Sequence, residues 1–150
     1  MVSAIIADIK AQNTAGGTFT SGAWRTRDMN TVIVDLNSIV ELLPANQFRI
    51  KAGRYYVTGA ATAFGVSRHQ ARLFNVTQAT VPVIGTSQVA FISDNACSSS
   101  QLLGGLVSNG TDIFELQHRA ETTRANDGFG VAANFDSELY SILRFDVAGA

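Results

Sequence analysis

Charge is scarce in this sequence. Asp, Glu, Lys and Arg make up 15% of its 150 residues, against about a quarter in an ordinary soluble domain. The net charge is -1, so no basic stripe awaits nucleic acid and no polybasic cluster awaits anionic lipid. Cysteine occurs once, at Cys97, which excludes an internal disulfide. Its neighbours, Asn95 to Ser100, offer no base to activate the thiol. No apolar run approaches the roughly 20 residues of a membrane span. The opening run stops at Asp8, too short for a secretory leader. The expectation is a soluble protein made in a cytoplasm, with no nucleic-acid partner and no membrane partner.

Hydrophobic residues make up 46% of the chain, a globular composition. A chain of this length buries about two-thirds of its unfolded surface without a disulfide or metal staple. One domain, 1–150, is expected. With so few charges left for the surface, part of that surface should lie under another protein. Arg supplies 9 of the 11 cations, with Lys10 and Lys51 the rest, and Arg over Lys suits interfacial pairing.

No window sustains a helical period. The best helical candidate, Ile39 to Leu43, is cut off by Pro44 after barely a turn. Runs rich in β-branched and aromatic residues recur instead, separated by Gly, Asn, Asp and Ser. Strands are expected near 4–11, 32–36, 47–50, 54–64, 68–77, 86–93, 101–108, 113–121 and 138–147. Turns fit at Gly16-Gly17, Ala52-Gly53, Gly85, Asn109-Gly110 and Asp127-Gly128. Residues 12–31, polar and Gly/Thr-rich around Trp24, read as an ordered arm.

The strands are of two kinds. In 113–121, Phe114, Leu116, His118 and Ala120 alternate with Glu115, Gln117, Arg119 and Glu121, which predicts one wet face. By contrast, 55–67 and 95–111 carry no charge at all. A strand with two dry faces needs cover on both sides. The sandwich core supplies one cover, and a second copy of the chain is expected to supply the other.

The stretch Gln47-Phe48-Arg49-Ile50-Lys51-Ala52-Gly53-Arg54-Tyr55-Tyr56-Val57 resembles the Gly-x-Tyr-x-apolar strand of the complement globular-head and tumour-necrosis-factor-like jelly rolls. Leu102-Leu103-Gly104-Gly105-Leu106 is similar to their Leu-Gly-Gly strand, and Tyr140-Ser141-Ile142-Leu143 to their closing strand. The run from Gly17 to Asn30, with Arg68–Leu73 and Glu115–Arg119, resembles the version of this fold in bacteriophage structural proteins. The resemblance implies an all-β, ten-strand antiparallel jelly-roll sandwich that forms a homotrimer. Carried over residue by residue, it implies Tyr56, Thr58, Leu102 and Tyr140 at the trimer axis, with Tyr55 and Val57 in the core.

Catalytic chemistry finds no foothold. His69 and His118 share apolar faces and lack a convergent carboxylate or thiol for zinc. They read as histidines satisfied by a carbonyl or carboxylate at the edge of the core. Asn126-Asp127-Gly128 and Ser93-Asp94-Asn95 lack the alternation of a calcium loop and read as turns. No catalytic residue, metal or cofactor is assigned. The densest polar-aromatic cluster is Trp24-Arg25-Thr26-Arg27-Asp28. Trp24 and Arg25 are candidates for contact with a partner or glycan. The alternative is a Trp that pins the arm to the sandwich, with Arg27 paired to Asp28 or another carboxylate.

These observations favour a non-enzymatic virion structural protein, made in a host cytoplasm. Its expected form is a trimeric decoration or cement protein on the major capsid protein of a phage shell. No shaft or tethering segment is expected, which favours the shell over a tail. The alternative is the receptor-binding tip of a tail fibre or spike, with a host surface receptor or glycan as partner.

Overall fold

In the computed structural model, which describes residues 2–149, the alternating runs form two antiparallel sheets. The strands are β1 (Ser3–Lys10), β2 (Arg25–Thr26), β3 (Thr31–Asp35), β4 (Val40–Leu43), β5 (Gln47–Ile50) and β6 (Gly53–Phe64). They continue as β7 (Ser67–Asn75), β8 (Thr80–Ile84), β9 (Gln88–Ala90), β10 (Cys97–Ser108), β11 (Ile113–Ala120) and β12 (Glu138–Val147). One sheet runs β10-β6-β12-β1-β3. The other runs β4-β5-β11-β7-β8, with β2 against β11 and β9 against β7. No strand alone can bury its apolar face, so the two sheets close on each other. Phe48, Phe114 and Phe145 meet at the centre of that contact. Each is fully buried and contributes about 2 kcal/mol by leaving water.

Twelve strands replace the ten that the resemblance implies, two of them only two or three residues long. The expected helical turn at 39–43 is a strand, β4. Val40 pairs with Ile50 and Leu42 with Phe48 across the sheet, and that pairing outweighs local propensity in so short a run. The sole helical turn among the described residues is the 3-10 turn Pro44–Asn46, which follows β4. Strand β8 lies outside the expected strands and contains Pro82. It sits at a sheet edge, where a missing N–H is tolerated.

The sandwich is stitched shut along β10. Gly85 donates to the Ala71 carbonyl at 2.8 Å and bridges to Leu102, and Thr86 donates to Gln101 at 2.9 Å. Ser100 Oγ accepts from the Ala71 N–H at 3.0 Å and donates to the Thr86 carbonyl at 2.7 Å. This close approach requires a glycine. A Cβ on Gly85 would stand 2.6 Å from the Ala71 oxygen and 2.7 Å from Ser100 Oγ. Gly85→Ala should therefore lower the free energy of unfolding by about 2 kcal/mol in a denaturant titration. Unchanged stability would mean that the seam yields freely.

Candidate functional site

Strand parity assigns the outer face of the five-stranded sheet. In β6, Tyr55 and Val57 point inward and are buried, while Tyr56 and Thr58 point outward and are exposed. In β10, Leu102, Gly104 and Leu106 turn inward, and Leu103, Gly105 and Val107 turn outward. The register brings Leu103 opposite Thr58, Gly105 opposite Tyr56, and Arg144 beside Thr58. Ile5 of β1 lies next to Arg144. The face is thus apolar across its middle, with Leu103 80% and Tyr56 64% exposed. Its charges include the Arg144–Asp146 ion pair.

Two of the four expected axis residues lie elsewhere. Leu102 is 1% exposed and belongs to the core. Tyr140 is 4% exposed, with its hydroxyl donating to the Thr14 carbonyl at 2.6 Å. The outward residues are their neighbours, Leu103 and Leu139. Leu102-Leu103 carries no polar residue to set parity. A bulge between Asp8 and Ile9 leaves Tyr140 without a cross-strand partner in β1, and both Tyr140 and Ser141 are buried.

The arm also differs from one expectation. Arg25 donates to the Thr20 and Ser21 carbonyls, both at 2.9 Å, so its guanidinium fastens its own loop. The indole of Trp24 stacks on the Arg72 guanidinium at 3.8 Å, pinning the arm to β7. Arg72 in turn donates to Gln117 Oε1 at 2.8 Å, and Gln117 donates to Glu115 at 2.6 Å. Glu115 and Gln117, expected on a wet face, are buried within this polar layer. The seven-stranded sheet is covered by its own chain over that stretch.

The two histidines meet. The antiparallel register of β7 and β11 sets His118 opposite Ala71 and His69 opposite Ala120, diagonal neighbours on the inner face. His69 Nδ1 lies 2.9 Å from His118 Nε2. Arg27 Nη1, a donor only, faces His118 Nδ1 at 3.3 Å. That nitrogen must accept, so His118 carries its proton on Nε2 and donates to His69 Nδ1. His69 then donates from Nε2 to Ser98 Oγ at 2.8 Å, and Ser98 donates to the Val89 carbonyl at 3.0 Å. One direction of hydrogen bonding runs from Arg27 to Val89. Arg27 itself is not paired with Asp28, which binds Lys10. Its other donors reach the carbonyls of Thr62 at 2.7 Å, Tyr140 at 3.1 Å and Phe129 at 3.3 Å. Its guanidinium also packs on the Phe129 ring at 4.2 Å. Among the described residues, no three His, Cys, Asp or Glu side chains are placed to hold a metal ion.

No family model and no curated protein sequence matches this chain. Solved structures do match over almost the whole chain. The globular domain of zebrafish complement 1qA protein is 14% identical, with a TM-score of 0.58, covering 99% of this chain and 98% of that one. Murine APRIL, solved at pH 5.0, is 9% identical, with a TM-score of 0.62 and coverage of 97% and 98%. The Eiger TNF from S. frugiperda is 12% identical, with a TM-score of 0.62 and coverage of 99% and 94%. The chain has their jelly-roll fold. At these identities the likeness concerns the fold alone.

The histidine pair gives the fold a pH dependence. Burial first, and the Arg27 charge second, push the pKa of His69 down to about 4. Burial, Arg27 and then His69 hold that of His118 well below 6.5. Below 6.5 the unfolded chain therefore binds protons that the folded chain refuses, and stability rises with pH across that window. The melting temperature should be level above pH 6.5 and fall as the pH drops from 6.5 toward 4. A His69→Gln, His118→Gln double variant should flatten the segment between pH 6.5 and 5, above most carboxylate titration. A flat wild-type curve there would contradict the buried neutral pair.

Proposed function

We propose that this chain is a non-enzymatic structural protein, a homotrimer formed through the outer face of the five-stranded sheet. In this reading the trimer decorates or cements a bacteriophage shell by binding its major capsid protein. The observation that carries the proposal is that outer face. Leu103, Val107 and Tyr56 stand exposed on the long strands β10 and β6, paired with each other along their whole length, beside half-buried Ile5 and Ile142. Contiguous apolar surface of this kind marks a binding face. A rigid sheet can present it without reordering the backbone. The fold's resemblance to trimeric jelly rolls in sequence supports three copies over two.

A second group of exposed apolar side chains supports attachment to something larger. Phe91 and Ile92 lie between β9 and β10, and Val131 and Phe135 lie in the segment before β12. Both segments leave the sandwich at the end that carries the β6–β7 turn, away from the Leu103 and Tyr56 patch. In the proposal the loop end, and not the N-terminal strand, serves this attachment, because β1 is already paired on both sides, with β12 and β3.

Sedimentation equilibrium at micromolar concentration should give about three times 15.9 kDa. Leu103→Asp and Tyr56→Asp should give folded monomers, because each would bury an unpaired carboxylate three times over around one axis. Leu102→Asp should instead unfold the chain, being a core position. A monomeric wild type, or trimeric aspartate variants at Leu103 and Tyr56, would remove the assembly proposal. For the shell, Phe91→Asp with Phe135→Asp should preserve the trimer. The same pair should abolish rebinding to stripped particles and the rise in their disruption temperature that bound trimer confers. Wild-type trimer that fails to rebind shells would refute the capsid role and leave the assembly intact.

A further inference from the structure

The seven-stranded sheet carries a cleft of about 570 Å³ on its outer side, across β9, β7 and β11. That volume lies within the ordinary range for small-ligand sites, roughly 300–1,000 Å³. Trp24, on the arm, forms one wall, and Gln88 and Val89 of β9 form the other. Arg68, Gln70, Arg119 and Glu121 line the cleft between them. The wall at Trp24 is braced, since its indole rests on the Arg72 guanidinium. Arg68 is committed to Glu121 through two hydrogen bonds. Arg119 is not committed. Its side-chain hydrogen bond, to the Gly22 carbonyl, is long at 3.4 Å. No carboxylate pairs with it among the described residues, and its charge joins burial in lowering the pKa of Arg72. Gln70 spends its N–H on the Gly85 carbonyl at 2.9 Å, which leaves its amide oxygen as an acceptor. The cleft thus offers one flat aromatic wall, amides that both give and accept hydrogen bonds, and one uncompensated cation.

We propose that this cleft binds an acidic saccharide of two or three rings. A pyranose has an apolar C–H face suited to an indole wall. Its rim of hydroxyls both donates and accepts, as the amides of Gln70 and Gln88 do. A ring carboxylate supplies the anion that Arg119 lacks, in the bidentate geometry guanidinium favours. An acidic peptide would satisfy the charge but would leave the flat wall and the amide pair without counterparts. The site is independent of the self-association face, because it lies on the other sheet.

Trp24 is the single tryptophan of the chain, so its fluorescence reports the site directly. Titration with a trimer of galacturonic acid should change that emission saturably, and the neutral galactose trimer should bind at least tenfold more weakly. Arg119→Gln should cost about tenfold in affinity for the acidic trimer, the scale of one lost charge-assisted contact, with Arg119→Lys retaining part of it. Amide NMR on the wild type should place shifts at Gly22, Gln70 and Gln88, a readout that needs no variant to fold. Any one of three results would overturn the proposal: no response up to roughly 10 mM ligand, an equal response to the neutral trimer, or tighter binding of a tri-glutamate peptide.

Discussion

A guanidinium taken out of water must have its donors met, and in this fold Arg27 is that guanidinium. It is 1% exposed and no carboxylate touches it. Asp8 and Asp28 act only through space, and burial still draws its pKa down to about 10. It remains charged at neutral pH. The compensation comes from three carbonyls, one imidazole nitrogen and the Phe129 ring. Those groups belong to β6, β11, β12 and the segment before β12. A cation that needs partners from four places fixes all four relative to one another, and leaving it unmet would cost several kcal/mol.

The construction of that end of the sandwich follows from this need. The arm and the 121–137 segment are held together by Phe19 pairing with Arg124 and by the Gly16 and Gly17 N–H groups on Gly130 and Asn126. Glu138 adds the N–H groups of Asn13, Ala133 and Asn134 at 2.8, 2.9 and 3.1 Å. Phe19, Ala63, Val66, Ala90 and Ala120 form a small core of their own beneath, with Phe129 packed against it. The histidine pair lies beside that core, with Phe19 4.7 Å from the His118 ring. Loops that would otherwise be loose are thereby ordered, and the cleft gains a fixed wall at Trp24.

The sequence revealed most where polarity alternates with burial. Strand β11 is legible because Phe114, Leu116 and His118 mark one face, whereas in β6, with two dry faces, the inward side of Tyr55 and Val57 comes from the resemblance. It revealed least where neighbours are alike. Nothing in Leu102-Leu103 says which leucine turns inward, and a shift of one residue exchanges core for surface. The bulge that leaves Tyr140 unpaired in β1 has no composition cue. Glu115 and Gln117 read as wet because their type is polar. Their burial depends on Trp24 and Arg72, which lie far away in sequence and come together only when the arm folds back. The Arg27–His118–His69 line needed the register of β7 against β11, which periodicity alone does not supply.

The scarcity of charge then has a spatial meaning. The chain spends most of its guanidinium groups inward, on the arm and on one sheet. Arg27 is inside, Arg25 secures the arm, Arg72 braces Trp24, and Arg68 and Arg119 line the cleft. The outer face of the five-stranded sheet keeps Arg144, paired with Asp146, and the exposed Arg54 at the end of β6, around an apolar middle. Two sheets of one sandwich share a core yet present opposite chemistries outward. A jelly roll has only two broad faces. A face that is apolar and flat suits a copy of itself, because symmetry then buries the same side chains on every subunit. A face that is cationic and grooved suits a small polar ligand, because its donors stay accessible to water. The division follows from which strands received the arginines.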